Sequence, residues 1–322
     1  MTPPERTAIV VCTDRLIEPL ERCLSGLLSL SDRPEDLIFI DNGSTDSLRF
    51  WVSEKFPKIS KIRLPQNSFF CGGYNTGIRM AIERGYDFVL IVNADTEVAN
   101  SGFLTELLKA AQRWPRAAFI GPLVYFRSAE VIQKTCLGFP KFIHNAAIWL
   151  PWRLVRKHFH QQPGEETPVE FLNGVCVLCR VSALREFGLM DEMFGGYVED
   201  ADWAWRARQR GWSSVYTPVP SVIHHENSSG YEAYSLKTFL LKRNTVLWFL
   251  KTEKRVSAQT YAKLSIGLAW ARMMFERSES EKNKHRYFLI RLQRVYKGLL
   301  RGENLGEWFG PPIGGWDNNV IK

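Results

Sequence analysis

Short apolar runs alternate with longer segments of helical periodicity along the first half of the chain. Four apolar runs predict β-strands: Ala8–Cys12, Leu37–Ile40, Ile59–Leu64 and Asp87–Val92. Three periodic segments predict the helices between them: Ile17–Leu30, Ser47–Lys55 and Thr76–Arg84. The run from Phe88 to Val92 has no polar break, which is typical of a parallel strand covered on both faces. This alternation predicts an α/β fold with a doubly wound, mostly parallel sheet.

The second half of the chain is less regular and ends in a helical region. Strands are predicted at Phe119–Phe126, Val169–Val181 and Ser214–His224, and a helix at Glu199–Arg210. The segment Lys141–Pro163 is aromatic and basic without a clear period. Three further helices are predicted after Tyr234: Leu240–Phe249, Tyr261–Phe275 and Tyr287–Leu300. We therefore expect one domain over residues 1–235 and a helical C-terminal extension over 236–322.

The composition and the short apolar runs argue against a disordered chain and against membrane-spanning helices. Of its 322 residues, 45% are hydrophobic and 24% are charged, which is ordinary for a globular protein. No apolar run approaches the roughly 18 residues that a spanning helix needs, and no signal peptide is visible. The six cysteines are scattered, and we expect them to be reduced thiols of a cytoplasmic protein.

Positive charge is concentrated in the C-terminal part. The formal net charge is +8, and residues 241–322 hold 16 Lys and Arg against 7 Asp and Glu, whereas the rest holds 26 against 27. Aromatic residues such as Trp248, Trp270 and Phe275 lie among these basic residues. This pattern favours peripheral docking on an anionic membrane surface rather than nucleic-acid binding. The alternatives are packing against the first domain or a homo-oligomer interface.

Polar residues directly after the predicted strands are the first candidates for chemistry, because ligands of α/β sheets bind beyond the carboxyl ends of strands. Asp41 and Asn42 follow the second strand, where Asp41 could bind a base or ribose. The alternative is a turn that caps the next helix at Ser44 or Thr45. Asn93 and Asp95 follow the strongest strand, and their oxygens suit a divalent cation, although one carboxylate and one amide need further ligands.

Three other clusters complete the candidates. Glu199, Asp200 and Asp202 open a predicted helix, where acidic residues are common, and one of them could act as a general base. Asp202 and Arg206 have the i,i+4 spacing of a structural ion pair. His224 and His225 end a strand and face opposite ways, so only one should bind a metal, and we favour His224.

The segment from Asn67 to Asn75 contains Gly72-Gly73 just before a predicted helix. Glycines in a loop allow the backbone to approach a phosphate or sugar, and a helix N-terminus favours anions. We therefore expect Gly72, Gly73 and Asn75 to contact an anionic ligand. A P-loop is excluded because no Gly-Lys-Ser/Thr follows.

In this order and context, the clusters resemble glycosyltransferase family 2, closest to its rhamnosyltransferase and galactofuranosyltransferase-like branch. The resemblance covers roughly residues 6–250. Its most specific element is Glu199-Asp200-Ala201-Asp202 after the Phe187-Gly188-Leu189-Met190-Asp191-Glu192 turn. The resemblance implies a GT-A fold, with the nucleotide-sugar bound by about residues 1–125 and the acceptor by about 126–235, including Lys141–Pro163.

The resemblance also implies an inverting, metal-dependent transfer of a sugar from a dTDP- or UDP-sugar to a glycan or lipid-linked acceptor. Thr13 and Asp41 would hold the nucleoside, and Asp95 and His224 would bind Mg²⁺ or Mn²⁺ on the diphosphate. Asp200 would be the catalytic base, with Glu199 orienting it or the acceptor. One departure is Asn93, which stands where the family's metal motif often has Asp.

Two other functions fit parts of the pattern. A nucleotidyltransferase also combines an α/β sheet, a metal and a nucleotide, but it would normally have a Gly-rich loop after the first strand. Here that turn is Cys12-Thr13-Asp14-Arg15, without glycine. A non-catalytic glycan- or membrane-binding protein could keep the same fold, but the presence of Asp95, Asp200 and His224 together argues against it.

Overall fold

The computed structural model describes residues 5–16, 18–44, 46–98, 102–141, 162–225, 236–253 and 255–302. The strands in these residues are β1 (Thr7–Thr13), β2 (Leu37–Asp41), β3 (Ser60–Arg63), β4 (Phe88–Asn93), β5 (Thr96–Val98), β6 (Ala117–Phe126), β7 (Cys136–Leu137), β8 (Thr167–Val169), β9 (Phe171–Leu172), β10 (Cys176–Arg180) and β11 (Ser213–His224). The helices are α1 (Leu20–Leu28), α2 (Asp46–Lys55), α3 (Phe69–Glu83), α4 (Phe103–Arg113), α5 (Val181–Phe187), α6 (Glu199–Gln209), α7 (Leu236–Thr252), α8 (Arg255–Phe275) and α9 (Glu279–Arg301).

One large sheet organises the chain in the order β3-β2-β1-β4-β10-β6-β11-β5, with β8 paired to β11. The first four strands are parallel to one another, which confirms the predicted α/β class. The second half of the sheet is mixed, because β10 runs antiparallel to both β4 and β6 while β11 is parallel to β6. The carboxyl ends of β1, β2 and β4 therefore share one edge, where ligand-binding residues are expected.

The strand predicted over Val169–Val181 is wrong as a single element, since it divides into β8, β9 and β10. The interruption before β10 is a turn at Asn173-Gly174, where the Asn173 side-chain Oδ1 accepts a hydrogen bond from the Val175 N–H at 3.1 Å. Such a side-chain bond competes with the sheet ladder and reverses the chain. The turn brings Val175 beside the end of β4.

The loop predicted at Phe70–Gly73 is also wrong, because α3 already begins at Phe69 and contains both glycines. Gly73 and Gly77 lie one helical turn apart and face β1. A Cβ atom at Gly73 would overlap the Cys12 Sγ, and one at Gly77 would overlap the Val10 side chain. The glycines thus allow α3 to pack closely on β1, which offsets their poor helix propensity.

Apolar residues on both faces of β1, β2 and β4 form the core, as their uninterrupted hydrophobic runs predict. Leu20, Leu24 and Leu27 of α1 are fully buried against this sheet. Each such side chain contributes about 1.5–3 kcal/mol by leaving water. The six cysteines are free thiols, and burial raises the pKa of Cys23 to about 12.

The chain divides into two compact units. The first contains the sheet, with described residues 5–139, 162–191 and 200–225, and we call it the sheet unit. The second, the helical unit, contains residues 140–141, 192–199 and 236–302. The sequence predicts a boundary near residue 235, whereas the structure adds 192–199 to the helical unit. Most of Lys141–Pro163 lies outside the described residues.

Aromatic side chains join the three described helices of the helical unit. The Phe239 ring on α7 meets Phe288 on α9 edge to face, with centroids 6.2 Å apart, and Phe249 meets Tyr261 on α8 at 5.6 Å. The Tyr296 hydroxyl on α9 donates a hydrogen bond to the Lys242 carbonyl at 3.2 Å. Among the described helices, none is both long enough and apolar enough to cross a bilayer.

Candidate active site

Two side chains from distant parts of the sequence meet just beyond β4. Asp95 follows this strand by two residues, and His224 is the last residue of β11. The antiparallel pairing of β11 with β5 aligns His224 with Thr96 and so carries the imidazole to Asp95. The His224 Nε2 lies 3.2 Å from the Asp95 Oδ1, and their side chains are 7% and 19% exposed.

Gln133 contacts the ring nitrogen of His224 that does not face Asp95, and this contact bears on the protonation of the ring. Its side-chain Oε1 lies 2.8 Å from the His224 Nδ1, and when this amide oxygen accepts a hydrogen bond from the ring, Nδ1 carries the proton. In the neutral ring Nε2 is then an acceptor, and it faces a carboxylate that is also an acceptor. A positive charge between the two atoms, a proton or a cation, resolves this repulsion.

His225 takes no part in this pair. Its Nε2 lies 3.0 Å from the Glu97 Oε2, and its backbone N–H donates to the Asp95 carbonyl at 2.9 Å. Within the described residues, no group of three or more His, Cys, Asp and Glu side chains could hold a metal ion. A cation at Asp95 and His224 would need ligands beyond these two side chains.

Asp200 lies in the first turn of α6 and is half-buried. Burial raises the pKa of its carboxyl to about 6, although hydrogen bonds from the backbone of Ala201 and Gly174 act in the opposite direction. The Ala201 N–H donates to the Asp200 Oδ1 at 2.8 Å. A carboxylate with a pKa just below neutral pH is mostly ionised, yet it is a better proton acceptor than an exposed aspartate.

The turn before β10 connects Asp200 to the end of β4. Gly174 contacts Asp200, and the next residue, Val175, accepts a hydrogen bond through its carbonyl from the Asn93 N–H at 2.8 Å. Asn93 is two residues from Asp95 in the sequence. The structure therefore brings Asp95, Asp200 and His224 to the same edge of the sheet.

The other acidic residues of α6 differ in their contacts. Glu199 is the first residue of the helix and is only 6% exposed. The predicted pair of Asp202 and Arg206 is confirmed, with 2.8 Å between Oδ2 and Nε. Arg206 also donates to the carbonyls of Phe187 and Leu189, each at 2.7 Å. Asp202 is therefore part of a structural clamp that fixes α6 to the preceding turn.

Thr13 and Asp41 lie side by side at the carboxyl ends of β1 and β2, which are paired in register at this point. The Asp41 Oδ1 accepts a hydrogen bond from the Ser44 N–H at 2.8 Å, so the turn interpretation of this segment describes part of its role. The Asp41 Oδ2 lies 3.7 Å from the Arg63 Nε. The Thr13 hydroxyl bonds the backbone of Arg15 at 2.9 Å.

Asn42 holds two segments of the protein together. Its Nδ2 donates to the Phe69 carbonyl at 3.0 Å and to the Asn67 Oδ1 at 3.2 Å, and its Oδ1 accepts from the Ser68 N–H at 2.9 Å. These bonds attach the end of β2 to the start of α3. Asn93 is only partly buried, and its Oδ1 lies 3.5 Å from the Tyr74 hydroxyl.

The structure gives the glycine segment a packing role in place of the predicted loop. Gly72 and Gly73 are buried inside α3, where Gly73 faces Cys12 rather than an open approach path. The Asn75 side chain is 1% exposed and bonds both the carbonyl and the N–H of Met190, at 2.9 and 3.2 Å. The expected helix N-terminus is displaced to Phe69.

Two residues of this site were not among the predicted ones. Gln133 orients His224 but belongs to no motif and lies in an irregular segment, so the sequence carries no signal for it. Gly174 contacts Asp200, and the Asn173-Gly174 dipeptide before an apolar run is a turn signal that could have drawn attention to it.

Comparison with known proteins supports an enzyme. Residues 7–188 match the family model described as Glycosyl transferase family 2. Over 230 residues the chain is 32% identical to an N-acetylglucosaminyl-diphospho-decaprenol L-rhamnosyltransferase of Mycobacterium tuberculosis, covering 65% of this chain and 73% of the relative. It is 27% identical over 192 residues to the galactofuranosyltransferase GlfT1 of the same species, covering 58% and 59%.

Among solved structures, a crystal structure of GalNAc-T7 with UDP, GalNAc and Mn²⁺ resembles this chain with a TM-score of 0.58 at 15% identity. The match covers 76% of this chain but only 47% of that one. The likeness extends to the fold, which is of the GT-A type, as predicted. The family model covers more than half of the chain, and the relatives lie in the branch that the sequence resembles. The chain thus belongs to glycosyl transferase family 2.

Proposed function

We propose that this glycosyltransferase catalyses an inverting, cation-dependent transfer of a sugar from a nucleoside diphosphate donor to a hydroxyl group of a glycan or lipid-linked acceptor. The observation that carries the proposal is the geometry at the sheet edge. In the Asp95–His224 pair a carboxylate oxygen and an imidazole nitrogen lie 3.2 Å apart, and a half-buried carboxylate with a raised pKa, Asp200, lies along the same edge.

The residues present fit Mg²⁺ or Mn²⁺. A carboxylate oxygen and an imidazole nitrogen are suitable ligands, and the two protein ligands leave coordination positions for diphosphate oxygens and water. A solved structure of the same fold, GalNAc-T7, contains UDP and Mn²⁺, which supports a cation that meets a nucleotide. When bound, the cation would neutralise charge on the leaving diphosphate. Asn93 would contribute an amide oxygen to the donor or to its hydration shell.

Asp200 would accept the proton of the acceptor hydroxyl as that oxygen attacks the anomeric carbon. A single carboxylate acting as a base, without a covalent intermediate, produces inversion at this carbon. Glu199, next to Asp200, would orient the base or the acceptor. Removal of water from this buried position strengthens the pull of the carboxylate on the proton.

The nucleoside part of the donor would contact Thr13 and Asp41 at the ends of β1 and β2. Asn42, Gly72, Gly73 and Asn75 would support this region mainly by packing and hydrogen bonding, as their contacts indicate. Of dTDP-rhamnose and UDP-galactofuranose, we favour the rhamnose donor, because the rhamnosyltransferase relative is the more similar of the two. Its name also supports a polyprenyl diphosphate-linked acceptor.

We infer further that the helical unit attaches the enzyme to an anionic membrane, on the cytoplasmic face, where a lipid-linked acceptor for cell-surface polysaccharide synthesis would be presented. On α8, Gly267, Trp270 and Met274 form an exposed line at helical spacing, and Phe275 at its end is 87% exposed. On α9, Arg286, Arg294 and Lys297 are exposed at similar spacing. Aromatic and basic residues together suit an interfacial contact.

The experiment that tests the reaction compares Asp200→Asn with Asp87→Asn. The Asp87 carboxylate accepts a hydrogen bond from the Arg6 N–H near the other end of β4, so it serves as a matched control. We expect Asp200→Asn to lose at least about a thousandfold in turnover while nucleotide binding, followed by calorimetry with Mg²⁺ or Mn²⁺, survives. Unchanged turnover in Asp200→Asn would exclude this base.

A screen of nucleotide sugars identifies the donor. The measurement is thermal stabilisation of the wild-type protein by each sugar, with and without the divalent cation. We expect the greatest cation-dependent stabilisation from dTDP-rhamnose. Stabilisation of equal size in the presence of a chelator would contradict the metal-dependent mode of binding.

A further inference from the structure

The segment that leads into α6 has an unusual backbone. Gly195, Tyr197 and Val198 have φ angles of 69°, 67° and 72°. Glycine adopts such angles readily, but tyrosine and above all a β-branched valine rarely do. Two successive non-glycine residues in this region store strain directly before Glu199, and such a backbone persists only where other contacts hold it in place.

One side chain of α7 provides those contacts. The Asn244 Nδ2 lies 2.8, 2.7 and 2.7 Å from the carbonyl oxygens of Phe194, Gly196 and Tyr197. Asn244 is fully buried. A buried side-chain amide that donates hydrogen bonds to several backbone carbonyls fixes the curvature of that backbone. The segment 194–197, which includes two residues with positive φ, therefore curves around one amide group.

Arg243, the preceding residue, completes this arrangement. Its Nη1 donates to the Asn244 Oδ1 and to the Met193 carbonyl, each at 2.6 Å, and the side chain is 0% exposed. The bond to Oδ1 orients the Asn244 amide so that its nitrogen points at the carbonyls. Arg243 and Asn244, the α7 clamp, thus bind the backbone carbonyls of Met193, Phe194, Gly196 and Tyr197.

We propose that the α7 clamp is a positioning device for transfer: it holds residues 195–198 in a strained conformation that sets the start of α6, and with it Glu199 and Asp200. The proposal rests on the proposed role of Asp200 as base. We assign both clamp residues a positioning role rather than a catalytic one. Both act through the chain, because the strained peptides are joined directly to Glu199.

The main test is Asn244→Ala, which removes the donors but leaves the carbonyls. We expect turnover (kcat) to fall by about ten- to a hundredfold, the range seen when supporting residues of a site are removed, with the donor KM changed by less than about threefold. Hydrogen exchange at the amides of residues 195–200 should accelerate. The matched control is Thr245→Val on the same helix. The Thr245 hydroxyl donates a hydrogen bond to the Leu241 carbonyl within α7.

Rescue separates positioning from simple loss of stability. Glycine adopts a φ of 72° without strain, so Val198→Gly should restore part of the turnover and of the exchange protection when it is added to Asn244→Ala. Should Asn244→Ala not fold, Asn244→Asp has nearly the same shape but no N–H donors, and the same two measurements apply to it. A destabilised helix would be insensitive to Val198→Gly.

The outcomes distinguish this proposal from the proposed function. If Asp200→Asn keeps full turnover, the assignment of the base fails, whatever the clamp does. If Asp200→Asn is inactive while Asn244→Ala and Asn244→Asp keep wild-type kcat, the clamp proposal is overturned. The clamp is also overturned if Thr245→Val loses as much kcat as Asn244→Ala, or if exchange at residues 195–200 does not change.

Discussion

Single residues in this protein derive their chemistry from what surrounds them. Asp200 is an ordinary aspartate in the sequence, but burial raises the pKa of its carboxyl to about 6. His224 becomes a candidate ligand because its Nε2 meets Asp95 while Gln133 contacts the other ring nitrogen. Val198 accepts a left-handed backbone that would cost on the order of 1–3 kcal/mol, because contacts around it outweigh that cost.

The raised pKa of Asp200 predicts the pH dependence of the reaction. A base works only when it is deprotonated, so kcat/KM should be constant above about pH 6 and should fall about tenfold per pH unit below it. The measurement is a pH profile of transfer at saturating Mn²⁺, which limits the contribution of metal loss at low pH. A rate that stays constant down to pH 5 would contradict this role.

Gln133 offers a second test at this scale. In Gln133→Leu the His224 Nδ1 loses its acceptor, so the tautomer with a free Nε2 is no longer favoured, and affinity for Mn²⁺ should weaken about ten- to a hundredfold. Titration followed by electron paramagnetic resonance measures this directly. Gln162→Leu is the matched control, because the Gln162 amide bonds Thr135 and Cys136 instead. Equal losses in both variants would assign Gln133 a structural role only.

At the scale of elements, close packing of α3 on β1 positions the candidate donor site. Because the glycines of α3 have no side chains, the helix backbone lies in direct contact with Val10 and Cys12 of β1. Cys12 immediately precedes Thr13. The carboxyl end of β1 therefore depends on the fit of a neighbouring helix. The glycines are visible in the sequence. That they lie within a helix and pack against β1 is visible only in the folded structure.

Gly77→Ala should destabilise the sheet unit by about 1–3 kcal/mol, because the added methyl group meets the Val10 side chain in a filled core. The measurement is urea unfolding. Gly267→Ala is a matched helical glycine with open space around its Cα, so it should be neutral or stabilise the protein by up to about 1 kcal/mol. A neutral Gly77→Ala would show that α3 can move away from β1 at little cost.

At the scale of the whole molecule, chemistry and charge are divided between two units. The sheet unit carries Asp95, Asp200 and His224, whereas the basic excess belongs to the C-terminal region, which supplies most of the helical unit. A short segment, residues 192–199, belongs to the helical unit although α6 continues in the sheet unit. The start of α6 is therefore one of the places where the chain passes from one unit to the other.

Membrane attachment predicts a difference between two exposed phenylalanines. Phe275 at the end of α8 is 87% exposed and Phe50 on α2 is 68% exposed. Phe275→Ala should weaken binding to vesicles that contain anionic lipid, because an aromatic side chain leaves the interface, whereas Phe50→Ala should have no effect. Co-flotation at low and high salt measures both variants. Binding to neutral vesicles that is insensitive to salt would remove the electrostatic basis of the proposal.

The sequence by itself determined the class of the fold and the chemistry-bearing residues. Uninterrupted apolar runs identify β1, β2 and β4 because a strand covered on both faces has no place for a polar side chain. Polar clusters after those strands identify Asp41 and Asp95, and the i,i+4 spacing identifies the Asp202–Arg206 pair. These are local properties, and local spacing is what a sequence displays.

Only the tertiary structure decided which of these residues meet and what holds them. The pairing of β5 with β11 joins Asp95 to His224, and the turn at Gly174 brings Asp200 to the same edge. Gln133 and Asn244 carry no motif, since their roles depend on backbone and side-chain atoms far away in the sequence. Hydrogen-bond partners, burial and strain are properties of the folded arrangement, and no spacing along the chain encodes them.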